Sequence, residues 1–288
     1  MRVNISFNAG PFRIMLEEFE KPFLDDFHAL YKHQLTQQNS SQRLTDFRIS
    51  VKAPSGLRRY YRPQTCFYFD QFQPFYPLPY SQTLPVFEWG LNWCIATQAH
   101  QFLQFHAAGL AKNNTMVIMP APPGSGKSTL TAALMNHGWR LFSDEIVLIR
   151  PSDGLAVPIA RPINLKNNSI DIAESTFPES FLSQRFKDTH KGTVALMAPS
   201  ELSVRNAHLC QKPTHIIFPK YVAGSAMQVT AMDRASAVME LVTNSFNYHM
   251  QGRPGIELAV SVVDQCECIQ FTYSSFDDAY AYFDSLEV

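Results

Sequence analysis

Residues 121–129 read APPGSGKST and carry the sharpest chemistry in the chain. Gly126-Lys127-Ser128, preceded by Gly124, sits between an apolar stretch (TMVIMP, 115–120) and a helical one (LTAALMNH, 130–137). This is the phosphate-loop pattern in relaxed form, with Ala121 where the strict pattern has glycine. The residue types suit the task. Successive backbone N–H groups of Gly124, Ser125 and Gly126 can curl into a nest around an anion, in dihedrals that glycine tolerates. The helix that follows, opening at Lys127, Ser128 and Thr129, turns its positive end toward the same anion. Lys127 can reach the β- and γ-phosphates of a nucleotide, and the Ser128 hydroxyl can bind Mg²⁺. Pro122 and Pro123 donate no N–H, but they precede the nest and stiffen its entrance. A chance match in a turn would lack the strand before and the helix after.

A second element follows at 143–149, SDEIVLI. Asp144 comes 17 residues after Lys127. A short helix, a turn at His137-Gly138 and one strand (WRLF) fill the gap. A right-handed crossover is expected to return that strand beside TMVIMP, with its carboxyl end level with the loop. Asp144 and Glu145 then arrive at the phosphates, one acid holding Mg²⁺ and the other accepting a proton from an attacking hydroxyl. In switch GTPases and motor ATPases the acidic strand comes much later, so the short gap argues for a different phosphate-loop lineage.

The rest of the chain must position these groups. It has 288 residues, room for one large domain or two small ones. Lysine plus arginine is 24 and aspartate plus glutamate 25, a net charge of −1 that argues against a broad grip on nucleic acid or anionic lipid. Hydrophobic residues make up 45%, a globular value. No apolar run reaches membrane-span length, and the N-terminus lacks the plan of a signal peptide. Five cysteines is an odd count that speaks against a disulfide scaffold and for the cytoplasm. The 22 phenylalanines imply a large core or a sticky surface.

Residues 11–35 show apolar residues at helical spacing (Phe12, Leu16, Phe19, Phe23, Phe27, Leu30). Residues 36–43 read as a polar loop, and 44–72 as a small β-meander turning at Pro54, Ser55 and Gly56. Proline crowds 73–85, so 73–83 reads as an extended linker. Beyond it, 84–104 reads as an amphipathic helix, and 105–111 with 115–120 as a hairpin. A helix at 127–137 and a strand at 139–143 follow. Further strands are expected at 145–150, 155–160, 193–197, 215–219, 227–231 and 268–273, and helices at 233–246 and 276–285. Cys266 and Cys268 alternate on one of these strands and read as packing, since no further zinc ligands stand at matching spacing. Arg58-Arg59-Tyr60-Tyr61 fits the flank of a β-turn better than a nucleic-acid contact.

Together these residues resemble the HPr kinase/phosphorylase family. Phe105-His106-Ala107-Ala108-Gly109, then APPGSGKST, then His137-Gly138-Trp139-Arg140-Leu141-Phe142-Ser143-Asp144-Glu145 follow its order and spacing. RPINLKNNSI (161–170), KGTVALMAP (191–199) and SFNY (245–248) look closer still to the subgroup called HPr-kinase-related kinase A. The resemblance covers roughly residues 100–275 and is strongest over 105–148. It implies an α/β fold: a P-loop kinase core of the HPr kinase and phosphoenolpyruvate carboxykinase type, with a bent mixed sheet and helices, over 84–288. A small N-terminal α+β region (1–83) unlike the regulatory domain of standard HPr kinases would precede it.

The resemblance implies transfer of the γ-phosphoryl of ATP, with Mg²⁺, to a serine on a peptide or small protein. It implies Asp144 as the base, Glu145 in place of a second aspartate near Mg²⁺, and His106 near the phosphates. Arg161 keeps a phosphate-facing role, and Lys191 is a second candidate for neutralising charge. The glycines of the motif used for phosphate removal are missing around Arg161, so phosphorylase activity is not expected. Standard members form rings, which leaves a homo-oligomer open. Two rival readings stand beside the kinase: a P-loop ATPase or GTPase whose acceptor is water, and a nucleotide-sensing scaffold with the Phe-rich N-terminal region as its docking surface.

Overall fold

Thr115–Pro120 is buried along its whole length, as a strand covered on both faces must be. Val117 and Met119 pack against the helices Lys127–Asn136 and Phe276–Ser285. Met116 and Ile118, alternating to the other side, pack against Arg234–Thr243 and Arg253–Asp264. The strand is central in a six-stranded mixed sheet. The order is Gln228–Ala231, Glu267–Tyr273, His215–Tyr221, Thr115–Pro120, Ala107–Lys112, Arg140–Ser143. The computed structural model describes residues 4–19, 21–36 and 44–286; the polar run at 37–43 lies outside the described residues.

Arg140–Ser143 does not pair with Thr115–Pro120, contrary to the expected crossover. Ala107–Lys112 lies between them, antiparallel to both. The physical reason is local: the two-residue turn at Asn113 and Asn114 closes a hairpin that takes the neighbouring edge, with Asn113 at φ 51°. Because both strands oppose the one between them, they still run in the same direction. The ends of both strands, at Pro120 and Ser143, therefore emerge at the same rim of the sheet, where ligands gather in open α/β folds.

Three smaller sheets complete this mixed α/β architecture of the described residues. A five-stranded sheet runs Ile5–Ala9, Phe12–Phe19, Phe47–Lys52, Gln64–Phe69, Leu78–Pro79. One antiparallel trio is Ala156–Val157, Val147–Ile149, Leu103–Phe105; the other is Ile163–Lys166, Gly192–Met197, Phe186–Thr189. Helix Thr83–Gln98 ties them together. Phe87, Leu91, Cys94 and Ile95 share one apolar cluster with Phe7, Ile14, Phe27 and Val51 of the first 83 residues and with Ile146, Ile159 and Leu196 of the later chain. The helix is not amphipathic as expected: its first eight residues are all buried except Trp89, because partners lie on every side. Within 73–83, Leu78–Pro79 pairs with Gln64–Phe69 and a 3₁₀ turn spans Tyr80–Gln82.

The expected helical reading of 11–35 holds only from Lys21 onward. Phe12–Phe19 is a strand, with Phe12, Ile14 and Leu16 buried at alternate positions. Residues spaced by four fit both a helix and alternation, and pairing with Ile5–Ala9 across the turn at Gly10 decides it. Helices Asn168–Thr176 and Arg253–Asp264 and strands Ile163–Lys166 and Phe186–Thr189 were not anticipated. Pro254 opens the helix Arg253–Asp264, where its missing N–H costs nothing. Cys266 and Cys268 pack in one apolar cluster. No helix of the described residues is long and apolar enough to cross a membrane.

Candidate active site

The loop after Thr115–Pro120 turns on two glycines, Gly124 at φ 87° and Gly126 at φ 89°. Gly126 is the N-cap of helix Lys127–Asn136 and lies in the left-handed region. It is also crowded: a Cβ there would meet Tyr273 Oη at 2.8 Å and Tyr221 Cβ at 2.9 Å. Gly124 faces open space. The Tyr221 N–H donates to the Ser125 carbonyl at 2.9 Å and Tyr273 Oη to the Gly126 carbonyl at 3.2 Å. Strands His215–Tyr221 and Glu267–Tyr273 thus grip the loop by its carbonyls, while the Ser125 N–H closes the turn by donating to the Pro122 carbonyl at 3.3 Å.

Asp144 is brought to this turn. Lys127 Nζ donates to the Asp144 backbone carbonyl at 2.6 Å, and Ser128 Oγ donates to Asp144 Oδ2 at 3.0 Å. The Asn164 N–H approaches the same oxygen at 3.4 Å, while Oδ1 has no partner among the described residues. Asp144 is 3% exposed and Lys127 8%. Burial raises the Asp144 carboxyl above its ordinary value; Lys127 opposes this and the neighbouring Glu145 adds to it.

Glu145 has the opposite fate. Burial works to raise it, but His106, Lys127, Lys191 and Lys166 together hold it below the usual carboxylate range. Its Oε2 lies 3.2 Å from His106 Nε2. Adjacent acids with opposed environments are the pattern that separates a proton acceptor from a fixed anion.

Arg161 is 6% exposed. Its Nη2 donates to Asn92 Oδ1, and Nη1 lies 3.9 Å from Glu88 Oε2. Nε and Nη1 have no hydrogen-bond acceptor among the described residues. A cavity of about 10 Å³, large enough for one water-sized oxygen, is shared by Arg161, Asp144, Glu145, Asn164, Glu88 and Asn92. Lys191 stands further off, in the turn between Phe186–Thr189 and Gly192–Met197, its ammonium 5.4 Å from the centre of the Trp89 ring. Burial lowers its pKa, Glu145 raises it, and Lys166 and Lys127 lower it again. Thr129 turns away: its hydroxyl donates to Ser169 Oγ at 2.7 Å.

The structure therefore gathers Lys127, Ser128, Asp144, Glu145 and His106 around the loop formed by Gly124, Ser125 and Gly126, with Arg161 on the far wall of the cavity. Sequence reasoning missed Glu88, Asn92, Asn164 and Lys166. Glu88 left a signal, a lone acid in a sixteen-residue, otherwise uncharged helix, where burial demands a partner. Asn164 and Lys166 alternate on one strand, Ile163–Lys166, that was not foreseen.

Ser128, Asp144 and Glu145 offer only oxygen atoms, and the unpartnered Asp144 Oδ1 is poised to take another contact. That is the hard donor set of magnesium, which is held by one or two carboxylates and completed by phosphate oxygens. Among the described residues no three His, Cys, Asp or Glu side chains gather into a metal cage.

On the opposite side of the loop runs a groove of about 590 Å³, lined by Pro122, Gly124, Phe218, Met232, Asn244 and Gln270 among others. No family model matches the chain, and a search of curated proteins finds no match. Among solved structures it is similar to the HPr(Ser) kinase/phosphatase from Coxiella burnetii, at 10% identity over 64% of this chain and 92% of that one, with a TM-score of 0.29.

Proposed function

We propose that the chain is a P-loop kinase that uses ATP and Mg²⁺ to phosphorylate a serine hydroxyl on a peptide or small protein. The observation that carries this reading is the meeting of Lys127, Ser128 and Asp144. The helix-opening hydroxyl bonds the carboxylate at 3.0 Å, and the lysine caps the strand end that bears it. The phosphates would lie over the N–H groups of Gly124–Ser128, with Lys127 swinging from the Asp144 carbonyl to the β- and γ-oxygens. The groove beside the loop is of the size that takes a nucleoside. Magnesium, when bound through Ser128, Asp144 and Glu145, supplies neutralisation of the phosphate charge.

In the reaction Asp144 accepts the serine proton as the hydroxyl oxygen bonds to the γ-phosphorus and the bond to the ADP oxygen breaks. Asp144 Oδ1, without a partner among the described residues, is the oxygen available to take that proton. Glu145, held ionised, stays an anion throughout and keeps His106 in place. Arg161 and Lys191 offset charge on the transferring phosphoryl. The five free cysteines fit a reducing, cytoplasmic setting.

The test is incubation with γ-labelled ATP, Mg²⁺ and a serine-peptide library, followed by mass spectrometry. Phosphoserine on a restricted set of peptides supports the kinase. Free phosphate at the same rate with or without peptide makes it a hydrolase, and saturable binding without turnover makes it a nucleotide sensor.

A further inference from the structure

The cavity wall opposite Asp144 is held from an unexpected direction. Tyr31 follows helix Lys21–Leu30 and is fully buried. Its hydroxyl donates to Glu88 Oε1 at 2.5 Å across 57 residues of sequence. The other carboxylate oxygen of Glu88, itself 3% exposed, faces Arg161 Nη1 at 3.9 Å. Asn92, one helical turn after Glu88, accepts from Arg161 Nη2. Gln34 adds a parallel tie, its Nε2 donating to the Ala160 carbonyl at 3.0 Å, one residue before Arg161. The result is a guanidinium gripped from behind. Its Nε and Nη1 have no acceptor among the described residues, and the cavity it lines is shared with Asp144 and Asn164, each of which has an unpartnered side-chain oxygen. A buried arginine would sample other directions without such a grip; Asn92 supplies it as a hydrogen bond, and Glu88 as a charge that the Tyr31 hydroxyl holds in place.

We infer that the N-terminal segment is a working part of the site: the Tyr31 hydroxyl, acting through Glu88, fixes the direction in which Arg161 presents its guanidinium to the cavity beside Asp144. Tyr31 and Glu88 are positioning residues, because neither need touch the nucleotide. The inference rests on the phosphotransfer reading for what Arg161 does, but not for how it is held. A misdirected group costs transfer rate more than it costs ground-state binding, since the transferring phosphoryl is where its charge is needed.

The experiment is a double-mutant cycle on the full chain with Tyr31→Phe and Arg161→Lys, with Glu88→Gln as a second, near-isosteric probe. Tyr31→Phe is expected to lower kcat about 10- to 100-fold and to leave KM for ATP within about threefold. In the Arg161→Lys background the same change should alter kcat by less than about twofold, because the group it positions is gone. Glu88→Gln should reproduce the kcat loss. Equal factors in both backgrounds, with a fall in melting temperature, would show a merely structural tyrosine and overturn the inference.

A second readout needs no turnover. In ¹⁵N relaxation the Arg161 Nε–H, assigned by its loss in Arg161→Lys, should have an order parameter near 0.85 in the wild-type chain and below about 0.6 in Tyr31→Phe. An unchanged value in Tyr31→Phe overturns the inference. If the wild type turns over no ATP, the proposed function fails while this measurement still decides the role of Tyr31.

Discussion

Asp144 and Glu145 are chain neighbours that pull stability in opposite directions. An acid whose folded pKa lies above its unfolded value costs stability at every pH above both, and the cost disappears once both states are protonated. Asp144 is such a group, raised chiefly by burial. Glu145 is the reverse case: its contribution is present above its ordinary value of 4.5 and is lost as the pH falls toward its lowered folded value. Asp144→Asn keeps an oxygen for Ser128 and Asn164 while removing the buried charge. It should melt at a higher temperature than the wild type at pH 7, with the gain shrinking toward pH 3. Its phosphate transfer should fall roughly 10²- to 10⁴-fold with nucleotide binding retained. Glu145→Gln should melt lower at pH 7 and converge on the wild type in acid. Calorimetry at both pH values and single-turnover assays check the pair. A destabilised Asp144→Asn at pH 7, or one that transfers at the wild-type rate, removes the role given to Asp144.

At the scale of elements, the loop depends on where its glycines sit. Both need positive φ, and an L-residue there costs about 1–2 kcal/mol. Gly126 has the added contacts with Tyr273 and Tyr221, so its alanine variant must also push the loop off the sheet. Gly126→Ala should therefore abolish nucleotide binding measured by titration calorimetry, whereas Gly124→Ala should weaken it modestly. Equal losses would mean that the two tyrosines do not shape the nest. The loop, its helix and Asp144 were legible in the sequence because strand, turn, helix and strand lie within about thirty residues and each has a local signature. The strand at Phe12–Phe19 was not, because its spacing fits two periods and its pairing with Ile5–Ala9 and Phe47–Lys52 chooses between them. Glu88, Asn92 and Arg161 come from remote segments, and only the packing of helix Thr83–Gln98 brings them to one wall.

That helix is also where the whole molecule is joined. Its buried faces carry Phe87 and Leu91 into the apolar cluster shared with residues 5–67, and the same turns carry Glu88 and Asn92 to the cavity beside Asp144. A boundary at residue 83 thus separates segments that share one core, and the many phenylalanines serve that core: Phe7, Phe23, Phe27, Tyr31 and Phe87 touch edge-to-face or stacked. A tight point of this joint is Gly90, where an added Cβ would lie 2.2 Å from the Phe67 ring of the N-terminal sheet. In an exposed helix, glycine to alanine stabilises by roughly 0.5–1 kcal/mol. Here the sign should reverse, with a loss of about 1–3 kcal/mol from overpacking between helix and sheet. Trp89 and Trp93 flank the site of change, so their fluorescence in urea reports it directly. Phe67→Leu in the Gly90→Ala background should restore part of the loss by giving the methyl room. The Gly90→Ala shift should also carry into phosphate transfer, because displacing the helix moves Glu88 and Asn92 away from Arg161. If Gly90→Ala is as stable as the wild type, the helix and the N-terminal sheet are not packed in this register, and Tyr31 loses its route to the site.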